Sequence, residues 1–165
     1  MFEPNSIRTV ISNYIPVVIF TEFNHKFGLP RYENLGDSGM DIRANKNVTI
    51  FPNCTALVPT GIFVSIPDGF EIQVRPRSGL SLKTSLRIAN SPGTIDKNYF
   101  GEIFIITHNT HHKESIEIEL GNKIAQLVLA RVPKIDWQPV YSKEEFLAFN
   151  DSTRGESGFG STGLN

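Results

Sequence analysis

The sequence predicts an all-β, jelly-roll-like domain with one or two short helices and a flexible, glycine-rich C-terminal tail. Three observations predict it. Short runs rich in β-branched and aromatic residues recur along the chain. Several of them alternate apolar and polar residues with the two-residue period of a half-buried strand. Turn signals separate them at close intervals, the pattern of a sandwich, jelly roll or barrel.

In chain order the strand-like runs are 15–20, 48–51, 56–58, 61–66, 71–74, 104–107, 115–120 and 124–132. In 115–120, Ile116, Ile118 and Leu120 point one way and Ser115, Glu117 and Glu119 the other. Between the runs stand Pro52-Asn53, Pro59-Thr60-Gly61, Pro67-Asp68-Gly69 and Gly121-Asn122, residues that favour turns. Two short helical pieces are expected. One lies near 81–84; the other spans 142–147, with Ser142 as N-cap and Glu145 three residues on. The predicted organisation is a β domain over 1–149, of which 1–13 form an N-terminal extension, followed by a C-terminal arm over 150–165. No internal repeat is visible.

The length of 165 residues is that of one domain. Lys plus Arg number 16 against 17 Asp plus Glu. That balance argues against a protein that coats nucleic acid, which needs a basic excess, but leaves room for a small basic pocket. A single cysteine, Cys54, excludes an intrachain disulfide and a cysteine-based zinc site, and with no basic cluster nearby it reads as inert. The N-terminus has neither the charge pattern nor the apolar core of a signal peptide, and run 15–20 is too short to span a bilayer. A soluble, cytoplasmic protein with no membrane partner is the expectation.

Five segments interrupt the strand pattern with glycine and polar groups. In 37–44, Asp41 sits within a strand-like stretch; it is either paired, near a metal's water shell, or satisfying a turn. In 75–80, Arg75, Arg77, Ser78 and Gly79 open the first helical piece. A hydroxyl, free backbone N–H groups and two guanidinium groups can cradle phosphate, or form a capped helix beside solvated arginines. In 90–102, Pro92-Gly93 marks a tight turn, so 90–99 is expected to form a β-hairpin. Its backbone could read a planar base, with Asp96 beside its mouth and Tyr99 as a floor under a sugar; both could equally be surface residues. In 121–127, Gln126 is a polar residue in an apolar strand, needing a partner or pointing to solvent. In 154–163, glycines, Ser161, Thr162 and Arg154 could make an anion clamp, and Phe159 could stack on a flat ring. The stretch lacks the lysine and following helix of a P-loop. His108, His111 and His112 read as a solvated loop, and Trp137 as packing or interface.

Taken together and in this order, the five segments resemble the motifs of the homotrimeric dUTPases. The matches are Ser38-Gly-Met-Asp41, Pro76-Arg-Ser-Gly-Leu80, Asn90 to Gly101, Gly121 to Gln126, and Arg154 to Gly163. They span about three quarters of the chain, and the Arg-Gly-X-X-Gly-Phe-Gly-Ser-Thr-Gly tail is the most specific.

The resemblance implies a β-clip, jelly-roll-like domain that hydrolyses dUTP to dUMP and pyrophosphate. Water attacks the α-phosphorus, which keeps uracil out of DNA and supplies dUMP for dTMP synthesis. It implies Asp96 as the catalytic base. Asn90 and the backbone of Gly93, Thr94 and Ile95 would read uracil, and Tyr99 would stack under deoxyribose and exclude a 2′-hydroxyl. Arg77, Ser78, Gly79 and Gln126 would hold phosphates across subunits of a homotrimer. Arg154, Gly160, Ser161 and Thr162 would close on the γ-phosphate, with Phe159 over the uracil. It also implies Mg²⁺, held mainly by the triphosphate, with Asp41 acting through water or beside an arginine. The chain departs from the family pattern at Phe100, Ser157 and Asn98, none of them a catalytic group.

A dCTP deaminase on the same fold would need a different tail and a glutamate set to protonate cytosine. A non-catalytic dUTP sensor would not need Asp96. A ligand-free structural jelly roll would not need five polar motifs.

Overall fold

β-Branched side chains build the centre of the molecule. Ile42, Ile50, Val58, Ile62, Ile103, Ile105 and Ile124 are fully buried and belong to one apolar cluster with Val64, Ile72, Val74 and Leu86. Such residues fit the pleated faces of stacked strands, and each contributes about 1.5–3 kcal/mol when fully withdrawn from water. The computed structural model describes residues 14–21 and 27–149. The chain falls into two compact units, one ending at Pro133 and the other beginning at Lys134.

The first unit carries eleven described strands and one helix: β1 (Val18–Thr21), β2 (Met40–Arg43), β3 (Val48–Ile50), β4 (Thr55–Pro59), β5 (Ile62–Ser65), β6 (Phe70–Arg75), α1 (Ser78–Lys83), β7 (Leu86–Ile88), β8 (Gly93–Ile95), β9 (Phe104–Asn109), β10 (Ile116–Ile118) and β11 (Lys123–Arg131). All pairings are antiparallel. The sheets run β2-β11-β6-β8, β4-β9-β7, β1-β5 and β10-β3, and do not close into a barrel. The mostly-β fold with two short helices is the one the sequence predicts.

Buried polar groups are matched. Asn109 donates from Nδ2 to the carbonyls of Ile50 (3.0 Å) and Glu114 (2.8 Å), and accepts at Oδ1 from the His111 N–H. Among the described residues, no buried side-chain nitrogen or oxygen lacks a hydrogen-bond partner, as expected of a well-formed interior.

One expectation is corrected. Residues 90–99 do not form a hairpin closed on itself. β7 pairs with β9 in the three-stranded sheet, whereas β8 pairs with β6 in the four-stranded sheet. The turn at Asn90–Pro92, with a cis Ser91–Pro92 bond, carries the chain from one sheet to the other. The turn residues are where the sequence places them. The partners of the flanking strands come from elsewhere in the chain, because a short strand pairs wherever an apolar sheet edge covers it.

In the second unit, α2 (Lys143–Ala148) is capped as expected: Ser142 Oγ accepts from the Glu145 N–H at 3.1 Å. Trp137 is exposed there, as are Ile135, Tyr141, Phe146, Leu147 and Phe149. Among the described residues, no helix is long and apolar enough to cross a membrane.

Candidate active site

The four-stranded sheet sets the first half of the site. Gln126 on β11 lies opposite Asp41 on β2 and opposite Arg75 on β6. Directly opposed residues of an antiparallel pair share a face, so this register brings together three polar side chains that lie far apart in the sequence. α1 begins three residues after Arg75, with Arg77 in the N-cap position, extended and without a side-chain cap.

Ion pairs lock this corner. Asp41 Oδ1 lies 2.7 Å from Arg77 Nε, and Asp41 Oδ2 lies 2.8 Å from Lys123 Nζ. Arg77 also donates from Nη1 to the Lys123 carbonyl at 3.1 Å. Partial burial of Asp41 pushes its pKa up, but the hydrogen bond from Lys123 and the charge of Arg77 outweigh it, so the carboxyl ionises below its ordinary range. Gln126 Nε2 donates to the Pro76 carbonyl at 2.9 Å, which ties β11 to the entrance of α1. Its amide fills the space over Gly39, where a Cβ would overlap Gln126 Oε1.

Asp41, Arg77, Ser78, Gly79 and Gln126 line one cavity of about 480 Å³, together with Leu80, Lys83 and Thr84. The first backbone N–H groups of α1 have no partner within the helix. With Arg77 and Lys83 they give this cavity an anion-accepting character. Lys123 joins the site only through the fold. Its pairing with Asp41 depends on the β2–β11 register, and no local pattern signals it.

The second half is built on β8 and the loop after it. Gly93 is buried on β8, opposite Val74. A Cβ at Gly93 would lie 3.1 Å from Asn90 Nδ2 and 3.3 Å from the Val74 Cβ, so the glycine admits the Asn90 amide. Thr94 and Ile95 continue β8 opposite Gln73 and Ile72. Asp96 is exposed, and its carboxylate has no hydrogen bond or ion pair among the described residues. Its carbonyl accepts from the Tyr99 N–H at 3.0 Å, which closes the loop. Lys97 pairs with Asp68, tying the loop to the turn before β6. The Tyr99 hydroxyl donates to the Glu102 carbonyl at 2.7 Å. Phe100 lies with Val18, Phe20 and Phe63 around a separate shallow cleft.

Asn90, Gly93, Asp96 and Tyr99 are absent from the lining of the anion-accepting cavity. Arg154, Phe159, Gly160, Ser161 and Thr162 lie outside the described residues. Also among the described residues, no cluster of three His, Cys, Asp or Glu side chains is placed to hold a metal ion.

An all-β domain with an anion-accepting cavity, and a separate loop whose carboxylate has no partner among the described residues, has the groups to hold a phosphorylated molecule and to supply a base. The family follows from comparison: the dUTPase family model matches residues 25–163, and the chain belongs to the dUTPase family. It is 47% identical over 135 residues to the deoxyuridine 5′-triphosphate nucleotidohydrolase of Picosynechococcus sp., covering 82% of this chain and 90% of the relative. It is 45% identical over 143 residues to that of Rickettsia rickettsii, covering 86% and 92%. Among solved structures it is similar to a dUTPase of Staphylococcus bacteriophage 80alpha in complex with dUpNHpp, with a TM-score of 0.75 and 28% identity, covering 90% of this chain and 99% of that one. The fold is shared with the dUTPase of phage phi11 of S. aureus, for which a structural Mg(II) ion is described (TM-score 0.70, 24% identity, covering 79% and 99%).

Proposed function

We propose that this chain is a dUTP diphosphatase, hydrolysing dUTP to dUMP and pyrophosphate by attack of water on the α-phosphorus. The observation that carries this reading is the dUTPase family match, which spans every described residue of both halves of the site.

In this reading the Asp96 carboxylate is the general base. It is exposed and has no partner among the described residues, so it is open to take the proton of the attacking water. The anion-accepting cavity holds phosphates through Arg77, Ser78, Gly79 and Gln126, placing donors where negative charge accumulates. Asn90 and the Gly93–Ile95 backbone read uracil, and Tyr99 packs under deoxyribose. In the same reading Arg154, Gly160, Ser161 and Thr162 bind the γ-phosphate and Phe159 stacks on the base.

The donor set fits a Mg²⁺ ion carried by the triphosphate, since the one partly buried carboxylate of the cavity, Asp41, is already held by Arg77 and Lys123. When bound, the ion supplies charge neutralisation and orientation of the phosphates. Asp41 fixes Arg77 in place, and toward such an ion it would act through water.

The working form is a homotrimer with shared sites. Two observations support this: the Asp96–Tyr99 loop does not line the anion-accepting cavity of its own chain, and large apolar side chains at Ile135, Trp137 and Tyr141 are exposed. A partner copy answers both. In this reading the protein works in the cytoplasm.

The test is turnover of dUTP with Mg²⁺ in ¹⁸O-labelled water. Label in dUMP together with release of pyrophosphate is expected. Label in pyrophosphate would overturn α-attack, and absence of turnover would overturn the enzyme reading.

A further inference from the structure

Tyr99 does not owe its orientation to packing alone. Its ring is about two-fifths exposed, and three features of the segment after it hold it. The hydroxyl donates to the Glu102 carbonyl at 2.7 Å. Gly101 leaves room for the ring to fold back, since a Cβ there would lie 2.7 Å from the Tyr99 hydroxyl oxygen and 2.8 Å from Cζ. Glu102 itself is pinned, because its Oε1 accepts from the backbone N–H groups of Thr60 (2.9 Å) and Gly61 (2.6 Å).

Those two N–H groups belong to the buried turn between β4 and β5, where Gly61 has φ of +65°. Next to them Thr60 Oγ1 donates to the Ile103 carbonyl at 2.6 Å, and the Ile103 N–H donates to the Ile62 carbonyl at 2.7 Å. A carboxylate held by two backbone donors is a charge-assisted anchor. It fixes the Glu102 backbone against the β4–β5 turn, and the Glu102 carbonyl in turn fixes the Tyr99 ring.

We propose that Glu102 is a positioning residue for sugar selection. Its carboxylate couples the Tyr99 ring to the buried Thr60–Gly61 turn, giving the ring the rigidity it needs to reject a 2′-hydroxyl. The proposal rests on Tyr99 being the deoxyribose platform. A steric wall discriminates only as well as it resists displacement, so a ring free to tilt admits the extra oxygen.

The experiment measures kcat/KM for dUTP, UTP and dCTP with wild type, Tyr99→Phe, Glu102→Gln, Glu102→Ala and the double variant Tyr99→Phe/Glu102→Ala. Tyr99→Phe and Glu102→Ala are each expected to lower the dUTP-over-UTP preference about tenfold or more, mainly through faster use of UTP, with dCTP still rejected. Glu102→Gln keeps an oxygen acceptor for both N–H groups and is expected to retain the wild-type preference. The double variant is expected to be no worse than either single one, because both cut the same tether. Multiplied effects in the double variant would overturn the proposal, as would a wild-type preference in Tyr99→Phe. Tyr99→Phe leaves the Thr60–Gly61 turn intact, so it decides the matter even where Glu102→Ala fails to fold. A wild type that does not distinguish dUTP from UTP would overturn the sugar-platform reading and the tether with it. A selective wild type with an equally selective Tyr99→Phe would overturn the tether alone.

Discussion

The side-chain amide of Gln126 lies directly over the Cα of Gly39, in the space a Cβ would need. Gln126 cannot retreat freely, because its Nε2 donates to the Pro76 carbonyl at 2.9 Å. Gly39 is therefore required for room rather than for backbone conformation. Gly39→Ala is expected to displace the amide, cost about 1–3 kcal/mol through overpacking, and raise KM for dUTP about tenfold with a smaller change in kcat. Steady-state kinetics and a urea melt check both halves. An unchanged KM would remove Gln126 from phosphate binding.

Asp96→Asn keeps the shape of the side chain and removes its basicity. Turnover is expected to fall by about 10²–10⁴-fold, while binding of a non-hydrolysable dUTP analogue stays within about threefold. Calorimetric titration alongside single-turnover kinetics separates the two. Near-normal turnover would disprove the role assigned to Asp96.

Asp41 makes stability depend on pH in a defined direction. Its pKa is lowered in the folded state, so its contribution is fully present above the unfolded value of about 3.9. It is lost as pH falls through the lower folded value. Asp41→Asn, which leaves Arg77 and Lys123 facing a neutral amide, is expected to cost roughly 1–2 kcal/mol near neutral pH. The gap between wild type and variant should stay level from pH 7 to about 5 and narrow below about 4. Urea midpoints across that range measure it. A gap that widens with acid would contradict the pairing.

Assembly gives a direct mass. Light scattering at working concentration is expected to return three times the 18.4 kDa of one chain. Replacing the exposed Trp137 (81% exposed) with Ala should weaken assembly and activity together if the second unit contributes to the interface. Full activity in a monomer would rule out shared sites.

By itself, the sequence determined the class of fold and marked the five segments that the proposed function uses. Alternation in 115–120, turn residues at Pro67-Asp68-Gly69 and the Ser142 cap are local signals, and the strands at β10 and β6 and the helix α2 formed where those signals lie. The five glycine-interrupted segments were legible for the same reason, since such residues in a strand-forming chain are conspicuous. Tertiary structure decided which residues meet. Lys123 reaches Asp41 across the β2–β11 register, although the two are far apart in the sequence. Glu102 reaches the Thr60–Gly61 turn because β5 and the segment before β9 lie side by side. β7 falls outside the strand-like runs of the sequence and β8 falls only within the expected 90–99 hairpin, since three residues carry too little periodicity to mark a strand or name its partner. In an antiparallel sheet, residues meet through strand register, which is settled only when the whole apolar face is buried at once.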